Sequence, residues 1–430
     1  NESSEGLSGA AQAFGFRGGR HGNVEEEQPS MRAMALMSQA PALQFGSPID
    51  GPKFGKAPPI GISRPAPASR RSASIAVKQV WNEENWKVTD PLEQVPEDFP
   101  LERTHREIVG ASANEVAQRI SNALRLLSVD AEYDSENAKA KCTTNDCVSF
   151  RIRLFAGGEE GLPVVVEVQR RNGSASSFMR VCRKILDGAD GTEIQSETEP
   201  ARKHVPPCMK FPIGTMKCLQ GLPQKVDCDT QVNVDLEKSM ELLRSKQKDT
   251  NLLGLENLCH LTDPLKTRPD IASKACKAVM LDPKCVDIRE EIGVMLQKDA
   301  FLPEEFDDEG AISLHHQARH MSLVLLSNTL VLTSKDGCLS AAVKSLKWFS
   351  EFLIPSLLDE VKGFESSANN AYEAACGLTS LATCSDIARR LMEENSAVED
   401  LRSAHAYGTL NHELLANECE RALTAMGHVL

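Results

Sequence analysis

The stretch Pro163–Leu186, PVVVEVQRRNGSASSFMRVCRKIL, leaves the chain that contains it few choices of fold. Val164, Val166 and Val168 alternate with Val165, Glu167 and Gln169, the period of a strand with one face committed to a core. Arg170-Arg171-Asn172-Gly173 turns the chain. Ser174 or Ser176 can cap a short helix behind it, in which Phe178, Val181, Cys182 and Ile185 recur at helical spacing. A strand, a basic corner and a helix therefore form one compact unit.

Matching parts lie upstream. Ser112-Ala113-Asn114-Glu115 has capping-box spacing, and Val116, Ile120, Ala123, Leu124 and Leu127 make one apolar face behind it. Two short extended pieces fall around Ala131–Tyr133 and Lys139–Thr143. Across Val148–Phe155, Phe150, Ile152 and Leu154 point inward while Ser149, Arg151 and Arg153 point outward, so both arginines are expected to be exposed. A small antiparallel sheet with two flanking helices is an α+β domain, expected over residues 102–188.

This order, and VVVEVQRRNGSASSFMRVCRKIL above all, resembles the kinase-associated-1 domain found at the C-terminal end of microtubule-affinity-regulating and related protein kinases. That family has an apolar strand, then Arg and Gly at a corner, then a helix opening with Phe. Arg170 or Arg171, Gly173 and Phe178 stand in those places. The resemblance implies binding to anionic phospholipid head groups or an inhibitory contact with a kinase domain, and it implies no catalysis. The residues for either role are the basic island Arg151, Arg153, Arg170, Arg171, Arg180, Arg183 and Lys184. Several of these are expected to converge on one surface; the alternative is a set of unconnected solvated charges.

Charge sharpens this reading. From Lys139 to Leu186 nine Lys or Arg face four Asp or Glu, whereas from Lys246 onward 18 basic face 28 acidic residues. A basic island beside an acidic body points to two different partners, or to the two halves touching each other. The net charge of −13 argues against nucleic acid as a partner of the whole protein. Thirteen scattered cysteines suit reduced thiols better than a disulfide scaffold, which points to a cytoplasmic protein, peripheral at membranes if the basic island binds them. The chain opens on Asn1 rather than Met, as a fragment with its activity upstream would.

Residues 1–80 hold 18 Gly or Pro and ten Ser without a sustained apolar period, so a disordered tail is expected there. Phe16-Arg17-Gly18-Gly19-Arg20 is one copy of an RGG-like pattern, too little to carry an RNA-binding reading. Arg70-Arg71-Ser72-Ala73-Ser74 has the arginines that basophilic kinases read, which makes Ser72 and Ser74 candidate phosphorylation sites. The same stretch resembles a 14-3-3 docking motif centred on Ser74, with Ala76 where that motif usually carries proline. Trp81 and Trp86 place a large apolar area in a linker, residues 81–101, which is expected to dock on the following domain; a recognition peptide for another protein is the alternative.

Residues 189–245 are read as a second linker, interrupted by Pro200, Pro206, Pro207, Pro212 and Pro223. His204, Cys208, Cys218 and Cys228 lie there without the short pairings of a structural zinc site, and Cys142 and Cys147 have no second pair to complete one. His315, His316 and His320 share a helix without a Glu between the two spaced by four, and are read as surface histidines.

From Lys246 to Leu430 helical periodicity takes over, in segments near 251–261, 270–281, 286–298, 311–333, 338–361, 367–382, 385–395 and 398–428. Gly254-Leu255-Glu256-Asn257-Leu258 echoes Gly377-Leu378-Thr379-Ser380-Leu381, and each is followed by Asp-Ile-Ala, at Asp270 and at Asp386. The offset is about three units of roughly 40 residues. The run from Ala371 to Met426 resembles armadillo repeats, so residues 246–430 are expected to form an all-α armadillo- or HEAT-like solenoid, separate from the α+β domain, that grips a protein partner. A plain irregular helical domain is the alternative.

There is no P-loop, no dinucleotide-binding glycine signature, no G-x-S-x-G elbow and no kinase catalytic triplet. No enzyme, cofactor or metal is expected of this chain. Two classes of function remain. One is a non-catalytic adaptor that joins an anionic membrane to a protein partner. The other is the regulatory end, or an accessory subunit, of a serine/threonine protein kinase.

Overall fold

The computed structural model describes residues 86–89, 91–96, 100–157, 163–194, 228–297, 309–335 and 337–430, which all belong to one compact unit. It holds a small antiparallel sheet and many helices. The sheet comprises β1 (His105–Ile108), β2 (Asp130–Asp134), β3 (Lys139–Thr143), β4 (Ser149–Ala156) and β5 (Val164–Asn172), in the order β1-β5-β4-β3-β2 with every pairing antiparallel. Helices α1 (Ala113–Leu126) and α2 (Ala175–Ala189) pack against each other over one face. The alternation read from the sequence decides which face: Phe150, Ile152, Leu154, Val166 and Val168 are buried with Val116, Ile120, Phe178, Cys182 and Ile185 in one core.

Caps and corners fix the helices in place. Ser112 accepts the Glu115 amide at the start of α1, and Ser174 accepts the Ser177 amide at the start of α2. Between β5 and α2, Gly173 has φ +91°, and a Cβ there would lie 2.7 Å from both the Cys147 carbonyl oxygen and the Val148 Cα. Only glycine fits a corner with that handedness and that close approach. Trp86 is fully buried in the same core and stacks on Tyr133 at 5.3 Å between ring centroids.

The remaining helices are α3 (Cys228–Leu243), α4 (Lys248–Thr262), α5 (Pro269–Leu281), α6 (Val286–Leu296), α7 (Glu309–Lys335), α8 (Cys338–Ser345), α9 (Ile354–Lys362), α10 (Ala368–Cys384), α11 (Asp386–Glu394), α12 (Ala397–Asn411) and α13 (Glu413–Ala425). Helix α3 occupies part of the stretch that its prolines suggested was irregular; the last of those prolines, Pro223, precedes it. The single segment expected over 338–361 is broken after α8 and resumes through a π-helical turn, Phe349–Leu353, into α9. The segment expected over 398–428 breaks at His412, whose extended backbone (φ −153°) ends α12 and caps α13.

Some contacts among these helices join elements three apart in the chain. Helix α4 lies on α7, α7 on α10, and α10 on α13, while α8 meets α11 and α9 meets α12. The echoed leucines follow that pattern: Leu255 and Leu258 on α4, and Leu378 and Leu381 on α10, are all fully buried in one helical core. Both echoed glycines stand at close helix crossings. A Cβ on Gly254 would meet the Leu243 amide nitrogen at 2.9 Å, and one on Gly377 would meet Leu330 Cδ1 at 3.0 Å. Each Asp-Ile-Ala opens the next helix, α5 or α11. Only α7 stands between α4 and α10 in the series, and the offset spans the six helices α4 to α9. The 27-residue α7 makes up part of that length.

Candidate functional site

The candidate surface is the face of the sheet turned away from α1 and α2. Strand pairing sets two rows across it: Asp134, Lys139, Arg153, Glu167 and His105 in one, and Glu132, Lys141, Arg151 and Gln169 in the other. Arg171 follows Gln169 on the same side of β5, at its exposed end. Five cations thus share the face with five carboxylates, since Glu107 and Asp130 lie on the same side as partners of Val165 and Thr143, and Glu132 and Glu167 are visibly engaged. Glu132 is 3.2 Å from the Lys141 ammonium. Glu167 is fully buried and accepts the Glu102 amide at 2.9 Å.

The positive charge on this face gathers around Arg151. Burial, and next the neighbouring guanidinium groups of Arg171 and Arg153, pull the Arg151 pKa below its ordinary value. Arg151 and Arg153 are half-buried rather than exposed, because flanking strands shield their aliphatic stems. The strand register holds these like charges close together.

The seven basic residues read from the sequence do not form one patch. Arg151, Arg153 and Arg171 come together. Arg170 has the opposite strand parity, with Phe150 as its partner, and its guanidinium donates to the Gly173 carbonyl at 2.7 Å to brace the corner. Arg180, Arg183 and Lys184 belong to the helix layer on the other side of the sheet, where Arg180 stands 3.9 Å from Asp146. Lys139 and Lys141 join the face although they were not among the site residues read from the sequence. Their alternation with buried Ala140 and Cys142 was the signal that could have found them. Ser72 and Ser74 lie outside the described residues, as do the RGG-like segment, Trp81, His204, Cys208 and Cys218.

A second polar cluster lies where the sheet meets the helices. His320 is buried, not at the surface, because the β3–β4 turn covers it: its Nε2 is 2.8 Å from the Asn145 carbonyl and its Nδ1 2.8 Å from Asn370 Oδ1. Among the described residues no group of three or more His, Cys, Asp or Glu is placed to hold a metal ion. No described helix is long and apolar enough to cross a membrane. Comparison with family models, with curated proteins and with solved structures finds no match to this chain.

Proposed function

We propose that the protein is a non-catalytic adaptor whose sheet face docks on an anionic phospholipid surface while its helical part holds a protein partner. The observation that carries the first half is the crowding of Arg151, Arg153 and Arg171 on one face, with Lys139 and Lys141 beside them. Each Lys or Arg near an anionic leaflet contributes about 1 kcal/mol, so three acting together give about a hundredfold recruitment. The resemblance of the strand, corner and helix to the kinase-associated-1 domain points the same way. For the second half, the contacts between helices three apart and the buried Gly-Leu echoes support an armadillo-like solenoid as the scaffold for a partner.

Sedimentation of the full chain with vesicles tests the lipid reading. The protein should pellet with phosphatidylserine-containing vesicles, stay in solution with pure phosphatidylcholine, and leave the pellet as salt rises. Equal binding to neutral vesicles, or none to acidic ones, would remove this reading and put restraint of a kinase domain in its place.

A further inference from the structure

We propose that the contact between the sheet block and the helical block is a releasable clasp, with the Asp130 carboxylate on the N-terminus of α10 as its latch. Asp130 sits at the start of β2, and both of its oxygens are engaged across the contact. Oδ1 accepts the Ala368 amide at 3.1 Å; Oδ2 accepts the Asn369 amide at 3.1 Å and the Ser367 hydroxyl at 3.4 Å. These are first-turn amides of a 17-residue helix, which have no partner inside the helix, and they end in the positive pole of its dipole. The latch therefore fills a site whose donors water would have to take up if it withdrew.

The rest of the seam is polar as well. Asn369 Nδ2 donates to the Thr143 carbonyl at 3.0 Å, and its Oδ1 faces His412 Nε2 at 3.1 Å. Asn145 Nδ2 donates to Glu373 Oε1 at 2.7 Å, and the Leu414 amide donates to Ser128 Oγ at 2.8 Å. Behind the seam the apolar residues fall into two separate cores, one in each block, with no residue in common. Parting the blocks would break hydrogen bonds that water can replace, together with the Arg125–Glu413 ion pair at 3.7 Å between α1 and α13, and would leave both cores closed. Contacts of that composition behave like transient protein interfaces rather than like a domain interior. The clasp goes beyond the adaptor reading and does not depend on it. What it adds is a closed form, in which the start of α10 and the middle of α7 are covered, and an open form that presents them.

Hydrogen exchange on the full chain, resolved to single amides, tests this. Ala368, Asn369 and Leu414 should exchange through one shared opening, well before Ile152 and Val166 in the sheet or Leu378 inside α10. Asp130→Ala should speed all three about tenfold or more, the effect of losing a capping carboxylate, and leave the core amides unchanged. Ser128→Ala supplies the second arm. It removes only the bond to Leu414, which is in α13, so a concerted clasp requires faster exchange at Ala368 and Asn369 too. The proposal is overturned if the seam amides exchange only together with the cores, or if Ser128→Ala affects Leu414 alone. Should Asp130→Ala fail to fold, the wild-type exchange pattern and the Ser128→Ala arm still decide the matter.

Discussion

Replacing Arg319 with alanine is expected to cost about 3–5 kcal/mol of stability, the range for breaking a buried ion pair by removing one partner. Arg319, on α7, is 11% exposed, and Glu360, on α9, is 6% exposed. The guanidinium Nε donates to Glu360 Oε1 at 2.6 Å, and a second guanidinium nitrogen meets the same oxygen. Alanine would remove from the buried Glu360 carboxylate the guanidinium that meets it, and desolvation dominates the cost. The double variant Arg319→Met with Glu360→Leu should lie within about 1–2 kcal/mol of wild type or above it, since apolar side chains of similar volume carry no such penalty. Urea unfolding gives both values, provided the m-value stays constant. A loss below about 1 kcal/mol in Arg319→Ala would mean that water reaches this pair.

The second large effect is a pH dependence rooted in His412. Burial pulls its pKa from 6.5 down to about 4. Its hydrogen bonds fit the neutral ring: Nδ1 accepts the Leu415 amide at 3.2 Å as the cap of α13, and Nε2 faces Asn369 Oδ1 at 3.1 Å. Between about pH 4 and 6.5 the unfolded chain binds a proton here that the folded chain refuses. Stability from this group is therefore complete above pH 6.5 and is lost as pH falls toward 4, by about 3 kcal/mol in all. Asp130 works in the opposite direction, because burial raises its pKa above 3.8. Comparison with His412→Asn, which can still cap α13, cancels that background. The stability difference between wild type and His412→Asn should shrink by about 2–3 kcal/mol between pH 7.5 and pH 4.5. A difference that does not change with pH would show that His412 titrates normally.

Strong periodicity made much of the fold legible. Strands β4 and β5 and helices α1 and α2 announce themselves because one face of each is an unbroken apolar set: Phe150, Ile152 and Leu154, then Val164, Val166 and Val168, then Phe178, Cys182 and Ile185. Strand β1 does not, since His105-Arg106-Glu107-Ile108 has a single apolar residue and owes its place to backbone pairing with β5. Helix boundaries at the π-helical turn and at His412 were hidden for a related reason: both interruptions keep the apolar period on either side of them.

The site was legible in part. Alternation alone puts Arg151 and Arg153 on one face, but the register that adds Lys139 and Lys141 and removes Arg170 depends on which residues pair across strands. The seam could not be read at all. Asp130, Asn145, His320, Asn369 and His412 are isolated polar residues far apart in sequence, and nothing local distinguishes them from solvated ones until the fold brings them together.

The most direct measurement of the central claim sets two full-chain charge variants against each other on phosphatidylserine vesicles at moderate salt. One carries Arg151→Ala, Arg153→Ala and Arg171→Ala on the sheet face; the other carries Arg180→Ala, Arg183→Ala and Lys184→Ala on the helix layer. Both remove the same formal charge, so a purely non-specific attraction would weaken equally in the two. Docking through the sheet face requires the sheet-face variant to lose about a hundredfold in vesicle affinity and the helix-layer variant to stay within about threefold of wild type. Equal losses, or a greater loss from the helix layer, would contradict it.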